Sequence, residues 1–178
     1  GELVTITSSS ITGNSTAGSG GAIYAPSGTR VILVDSLLAN NSADGAGGGI
    51  YLTSALLELT NTTLSGNQAL PGGAIEVASV TFIQLTNATV TNNTATNQGG
   101  GIRNDGSNVT ARNSIIVGNH SSSGHLNTDL DGAFNSQGNN IIGDLGGATG
   151  FVHEDSNDVV GSTGATVDPG LTPLGDYG

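Results

Sequence analysis

The chain has 178 residues and a formal net charge of −11, and it contains no cysteine, methionine, tryptophan or lysine; Arg30, Arg103 and Arg112 are its only strong cations. That balance argues against nucleic acid or an anionic membrane as partner, because both need clustered Lys and Arg, and it suits cation binding. No run of about 18 apolar residues occurs to span a bilayer, and the absence of cysteine is compatible with any compartment. Thirty glycines with 3% aromatics would read as a disordered linker if the apolar residues were scattered, but they are in register.

The first element is the strand pattern Leu3-Val4-Thr5-Ile6, without the charged and apolar regions of a secretory signal, which is therefore expected upstream of residue 1 if the parent chain has one. Its inward pair, Val4/Ile6, recurs as Val31/Leu33, Leu57/Leu59, Ile83/Leu85 and Val109/Ala111, with mostly polar residues between. Next comes an aliphatic residue followed three positions later by asparagine: Ile11 and Asn14, Leu38 and Asn41, Leu64 and Asn67, Val90 and Asn93, Ile116 and Asn119. The third element follows a glycine pair, as in Gly20-Gly21-Ala22-Ile23, Gly47-Gly48-Gly49-Ile50, Gly72-Gly73-Ala74-Ile75 and Gly99-Gly100-Gly101-Ile102. A period of 26 or 27 residues with alternating, β-branched strands and no helical period predicts an all-β solenoid. We expect a single-stranded parallel β-helix with about 26 residues and three short strands per coil, its glycine pairs turning corners at positive φ. Asn14, Asn41, Asn67, Asn93 and Asn119 are expected to stack inward as an amide ladder, since each amide both donates and accepts.

After Asn119 the glycine pair is lost, and Asn135/Gln137 take the place of the first strand's inward pair. The expected organisation is therefore β-helix coils over 1–144 and an irregular wrap or cap over 145–178. Eight of the fourteen acids fall in this end: Asp129, Asp131, Asp144, Glu154, Asp155, Asp158, Asp168 and Asp176.

The glycine-pair–Ala/Gly–Ile motif alternating with aliphatic-x-x-Asn resembles the repeats of polymorphic outer-membrane autotransporters, in which an aromatic usually stands at the aliphatic place. The C-terminal third is similar to bacterial choice-of-anchor β-helix proteins. The likeness runs from Asn113-Ser114-Ile115-Ile116-Val117-Gly118-Asn119 through Asn139-Asn140-Ile141-Ile142-Gly143-Asp144 to Val167-Asp168-Pro169-Gly170-Leu171. The resemblance implies a right-handed β-helix that is secreted or surface-anchored, and it is specific for fold, not for activity. Family members usually continue past Asp176-Tyr177-Gly178, so the chain is expected to be a piece of a longer protein.

Asp129, Asp131, Glu154, Asp155 and Asp158 offer oxygens for a structural calcium, but lack EF-hand or calcium-nonapeptide spacing, and solvated turn aspartates are the simpler account. Many parallel β-helices are polysaccharide lyases or hydrolases, which need convergent carboxylates. Glu58 and Glu76 are expected to project outward on different faces, with Glu76 and Arg103 forming a surface ion pair. His120, His125 and His153 sit in the irregular end, and no Gly-x-Ser-x-Gly elbow is present to complete a triad. Tyr24 and Tyr51 fall at equivalent positions on adjacent coils, either as a sugar platform or as a cross-coil packing pair. Sequons occur at Asn14, Asn40, Asn61, Asn87, Asn92, Asn108 and Asn119, of which Asn40 and Asn108 are the most plausible acceptors.

The expectation is a non-enzymatic extracellular protein, an adhesin or structural element of a cell surface, able to form head-to-tail fibres. The alternative is a carbohydrate-active enzyme or glycan-binding module. No cofactor beyond a possible calcium is implied. Expected partners are a second copy end to end, or a cell-surface or glycan ligand, with neither nucleic acid nor direct membrane insertion.

Overall fold

A computed structural model of the chain describes residues 1–79, 82–122, 129–152, 156–172 and 174. Short parallel strands stack coil upon coil into four sheets of six, seven, five and five strands. The first sheet holds Leu3–Thr7, Arg30–Val34, Leu56–Thr60, Phe82–Thr86, Asn108–Arg112 and Asn135–Ser136. Its register aligns Val4 with Val31, Leu57, Ile83 and Val109, and Ile6 with Leu33, Leu59, Leu85 and Ala111. In the second sheet Ile11, Leu38, Leu64, Val90, Ile116, Ile142 and Val160 form one column. The fourth sheet stacks Ile23, Ile50, Ile75, Ile102 and Leu130. From Val31 to Leu130 these columns are almost wholly buried and form one continuous core. A single coil could not bury them; the stacking does.

Three of the sheets are those expected from the repeat. The third sheet is an addition: two-residue strands at Ser15–Thr16, Ser42–Ala43, Gln68–Ala69, Thr94–Ala95 and His120–Ser121, directly after each ladder asparagine. Two residues are too few to show an alternation in sequence. Their inward residues are small, and Ala43, Ala69 and Ala95 are buried.

The corners divide the expected role of the glycine pair between its two members. The first glycine of each pair, Gly20, Gly47, Gly72 or Gly99, has positive φ. The second has no such φ, and a Cβ there would collide with the backbone of the next coil. The pair thus combines a left-handed turn with a close backbone approach. The ladder asparagines are not left-handed; the residues just before them are, namely Gly13, Asn40, Gly66, Asn92 and Gly118. A second left-handed column, Ser8, Asp35, Asn61, Asn87, Asn113 and Asn139, turns the corner between the first and second sheets.

The end of the rod also departs from expectation. Asn135 pairs with Thr110 and Ser136 with Ala111, so Asn135 faces outward, where its amide donates to Asn108 Oδ1 at 2.7 Å. Phe134 is buried in its stead and packs against Phe151, with ring centroids 5.8 Å apart. Val159–Val160 joins the second sheet beside Ile141–Ile142, so on that sheet stacking continues beyond residue 144.

Candidate functional site

The inward asparagines are joined through the whole rod. The backbone N–H and side-chain amide of Asn41 both donate to Asn67 Oδ1 at 3.0 Å. The same double donation runs from Asn14 to Asn41, from Asn67 to Asn93 and from Asn93 to Asn119. The second amide hydrogen goes to a core carbonyl, as from Asn67 to Leu38 and from Asn93 to Leu64. The amide-to-amide bonds have a direction: each asparagine donates to the next one toward the C-terminal end, and each after Asn14 accepts from the one before it.

The column ends on Asp129. Both the N–H and the amide of Asn119 donate to Asp129 Oδ1 at 2.7 Å, and the Asp144 N–H donates to Asp129 Oδ2 at 2.7 Å. A parallel column runs from the Ser114 N–H to Asn140 Oδ1, and from the Asn140 N–H and amide to Asp158 Oδ1 at 2.9 and 3.0 Å. A terminal member has only to accept, and a carboxylate does only that.

Asp129 and Asp158, which the sequence offers as calcium ligands or solvated turn residues, are both buried, and each ends a hydrogen-bonded column. Asp131 lies elsewhere, 3.5 Å from the Arg103 guanidinium; Glu154 and Asp155 fall outside the described residues. Among the described residues no three acidic or histidine side chains are grouped to hold a metal ion.

A cavity of about 340 Å³ opens on the flank beside the ladder's end. Buried Asp129 and Asp144 lie at its floor, with Val117 and Asn119 beside them. Its rim is formed by exposed His120 and by Val167, Asp168, Pro169 and Leu171 of the C-terminal segment. Asp144 Oδ1 accepts from the Gly146 N–H at 2.9 Å and, at 3.3 Å, from the Thr163 hydroxyl. Burial pushes the Asp129 carboxyl up to about 6, against the opposing effect of its N–H donors and with help from the neighbouring Asp144 charge. At Asp158 burial acts in the same direction, but donation from the Ser136 and Ser156 hydroxyls and from Asn140 outweighs it and holds the carboxyl below the usual range. Neither Asp144 nor the cavity was singled out as a site in the sequence: the C-terminal segment has no periodicity that would place it over the ladder.

The remaining candidates do not converge. Glu58 pairs with Arg30 at 2.6 Å on the first sheet. Glu76 does pair with Arg103, at 2.5 Å, but it is buried rather than a surface residue: its side chain is 3% exposed, and Oε2 has no hydrogen-bond partner. Burial pushes Glu76 up to about 7 against the attraction of Arg103. Tyr24 and Tyr51 stack with centroids 5.6 Å apart and planes 9° from parallel, so each covers a face of the other. Asn40 and Asn108 are exposed, Asn40 at a left-handed corner. His125 and His153 fall outside the described residues.

Each of the first four coils thus combines a left-handed corner, an aliphatic-x-x-Asn ladder step and a glycine pair leading into an inward isoleucine. Three stretches with that arrangement, residues 8–26, 35–53 and 87–105, match the model of the Chlamydia polymorphic membrane protein repeat. The chain is a parallel β-helix, and these three stretches of it are similar to polymorphic membrane protein repeats. All three matched stretches begin at left-handed residues, Ser8, Asp35 and Asn87, and run past the glycine pair, so each spans the ladder asparagine and the third sheet. No curated protein and no solved structure matches the chain.

Proposed function

We propose that the chain is a segment of a cell-surface β-helix that presents its outer faces for binding, as an adhesin or structural rod. The observation that carries this reading is the match of three stretches to polymorphic membrane protein repeats on a rod whose core is continuous from coil to coil. Such a rod holds exposed side chains at fixed steps of about 4.8 Å, the strand spacing, without needing a catalytic centre. The test has two arms. Protease shaving of intact source cells should release peptides of this chain, and beads coated with the folded chain should adhere to host-cell or matrix surfaces. Release only after lysis would overturn the surface placement; beads no stickier than those coated with an unfolded variant would overturn adhesion.

One observation favours the enzymatic alternative: Asp129, Asp144 and Asp168 line a single cavity. Against it, both Asp129 oxygens already accept backbone or amide hydrogens from within the rod, which leaves this residue poorly placed as an acid or nucleophile. Glycan hydrolysis that is lost in Asp144→Asn would decide for the enzyme. A second copy, added end to end by the same parallel strand pairing that joins the coils, is a further proposed partner.

A further inference from the structure

One arginine on the fourth sheet stands among three acids. The outward row of that sheet sets Tyr24, Tyr51, Glu76, Arg103 and Asp131 in register on successive coils. Arg103 turns each of its guanidinium nitrogens to a different carboxylate: Nη1 to Glu76 Oε1 at 2.5 Å, Nε to Asp131 Oδ2 at 3.5 Å and Nη2 to Asp105 Oδ2 at 3.8 Å. Only the contact with Glu76 is a hydrogen bond. The acids differ in depth, with side chains 3% exposed at Glu76, 36% at Asp131 and 66% at Asp105. Glu76 lies between Tyr51 and Arg103, and the corner at Gly72 comes so close that a Cβ there would stand 2.8 Å from Glu76 Cβ. In that position Glu76 Oε2 is shielded without a hydrogen-bond partner, and so is Arg103 Nε. An unpaired buried oxygen and two further carboxylates around the same guanidinium both disfavour the charged form of Glu76.

We infer that Glu76 and Arg103 form a proton-operated latch on the outer face of the fourth sheet. With Glu76 ionised, the guanidinium is drawn inward and held on Oε1. When Glu76 Oε2 takes one proton from solvent, the charge-assisted bond to Arg103 is lost, and the guanidinium turns outward to Asp131 and Asp105. The swing is short, because Nε and Nη2 already stand within 4 Å of those two acids. Three features select this device. The acid that takes the proton is the deepest of the three, the oxygen that receives it has no other partner, and the cation it releases has two carboxylates waiting at the surface. Burial pushes Glu76 up to about 7, against the attraction of Arg103 and with help from Asp105 and Asp131, so the latch works in the neutral range, closed above it and open below. Among the described residues, Tyr51 is the other titratable neighbour of Glu76 in the row, on the side away from Arg103. The inference goes beyond the surface-rod reading and does not depend on it, since the exchange needs only solvent protons.

The experiment is a pH titration of the folded chain by NMR, following the Glu76 carboxyl carbon and the Arg103 Nε signal through the neutral range. Both are expected to move with one shared midpoint. Asp131→Asn and Asp105→Asn should each lower that midpoint by roughly half a pH unit, since each removes a negative charge that disfavours ionised Glu76. Glu76→Gln should hold the Arg103 Nε signal at its acid-side position at every pH. The two aspartate variants leave the buried pair intact, so they serve even if Glu76→Gln fails to fold. A Glu76 midpoint in the ordinary carboxylate range, or an Arg103 signal that does not follow the Glu76 titration, would overturn the inference. So would a midpoint unmoved in either aspartate variant. An Nε shift that persists in Glu76→Gln would trace to another titrating group and overturn it as well.

Discussion

Asn67→Ala should be among the most damaging single truncations in the rod, although it removes no apolar surface. Asn67 is fully buried at mid-ladder. Its Oδ1 accepts from the backbone and side chain of Asn41, and its amide donates to Leu38 O and Asn93 Oδ1. Truncation leaves two donors of Asn41 inside the core without an acceptor. At about 1–3 kcal/mol for each buried orphan, the loss is roughly 2–6 kcal/mol, against a typical stability of about 5–15 kcal/mol. Asn14→Ala removes the exposed first member, which accepts from no earlier asparagine, and its N–H keeps its bond to Asn41 Oδ1; it should cost under about 1.5 kcal/mol. Asn67→Asp should be worse than Asn67→Ala, because a carboxylate there would face Leu38 O and Asn93 Oδ1 with no hydrogen to give, whereas Asp129 is tolerated at the end of the column. Urea unfolding followed by far-ultraviolet circular dichroism at neutral pH measures all three. Equal midpoints for the Asn14 and Asn67 variants, or an Asn67→Asp protein as stable as the parent, would refute directional stacking as a source of stability.

Four further outcomes are expected. Leu59→Asp places a charge in a column that is 1% exposed and should unfold the chain, while Glu58→Lys, which loses only the half-exposed pair with Arg30, should shift the urea midpoint by less than about 1 kcal/mol equivalent. Stability should rise as pH falls from about 7.5 toward 5. Glu76 and Asp129 have folded values raised to about 7 and 6, so their contribution is lost as pH rises through those values and is complete only below the unfolded ones. Asp158, held low, opposes this below the ordinary carboxylate range, so the urea midpoint should pass through a maximum on the acid side of neutrality; a midpoint that only falls on acidification contradicts the assignment. Asp129→Asn should flatten part of the neutral-side slope and cost about 1–3 kcal/mol, since one amide group can no longer accept from Asp144 N–H. Sedimentation of the folded chain should show species that grow with concentration if the first coil accepts a second copy, and a monomer throughout would remove that partner.

The period, the inward columns and the ladder asparagines were legible without coordinates, because stacking repeats the same contact at each coil and so repeats its chemistry in the sequence. Ile50, Ile75 and Ile102, or Asn41, Asn67 and Asn93, mark their own places by recurring. Features too short to alternate, or that do not recur, were hidden. The two-residue third sheet carries no alternation long enough to recognise, and Asn135 was read one position out of register because Phe134 enters the core at a place where earlier coils have aliphatics. Glu76 could be paired with Arg103 from the repeat spacing, but its burial does not follow from that spacing. The clearest division lies at Asp129. Sequence showed an acid in an acidic end, and nothing there distinguished a solvated turn from a ladder terminus. Only the fold brings Asp129 beneath Asn119 and Asp144 beside it, closing a directional column with a group that accepts and does not donate.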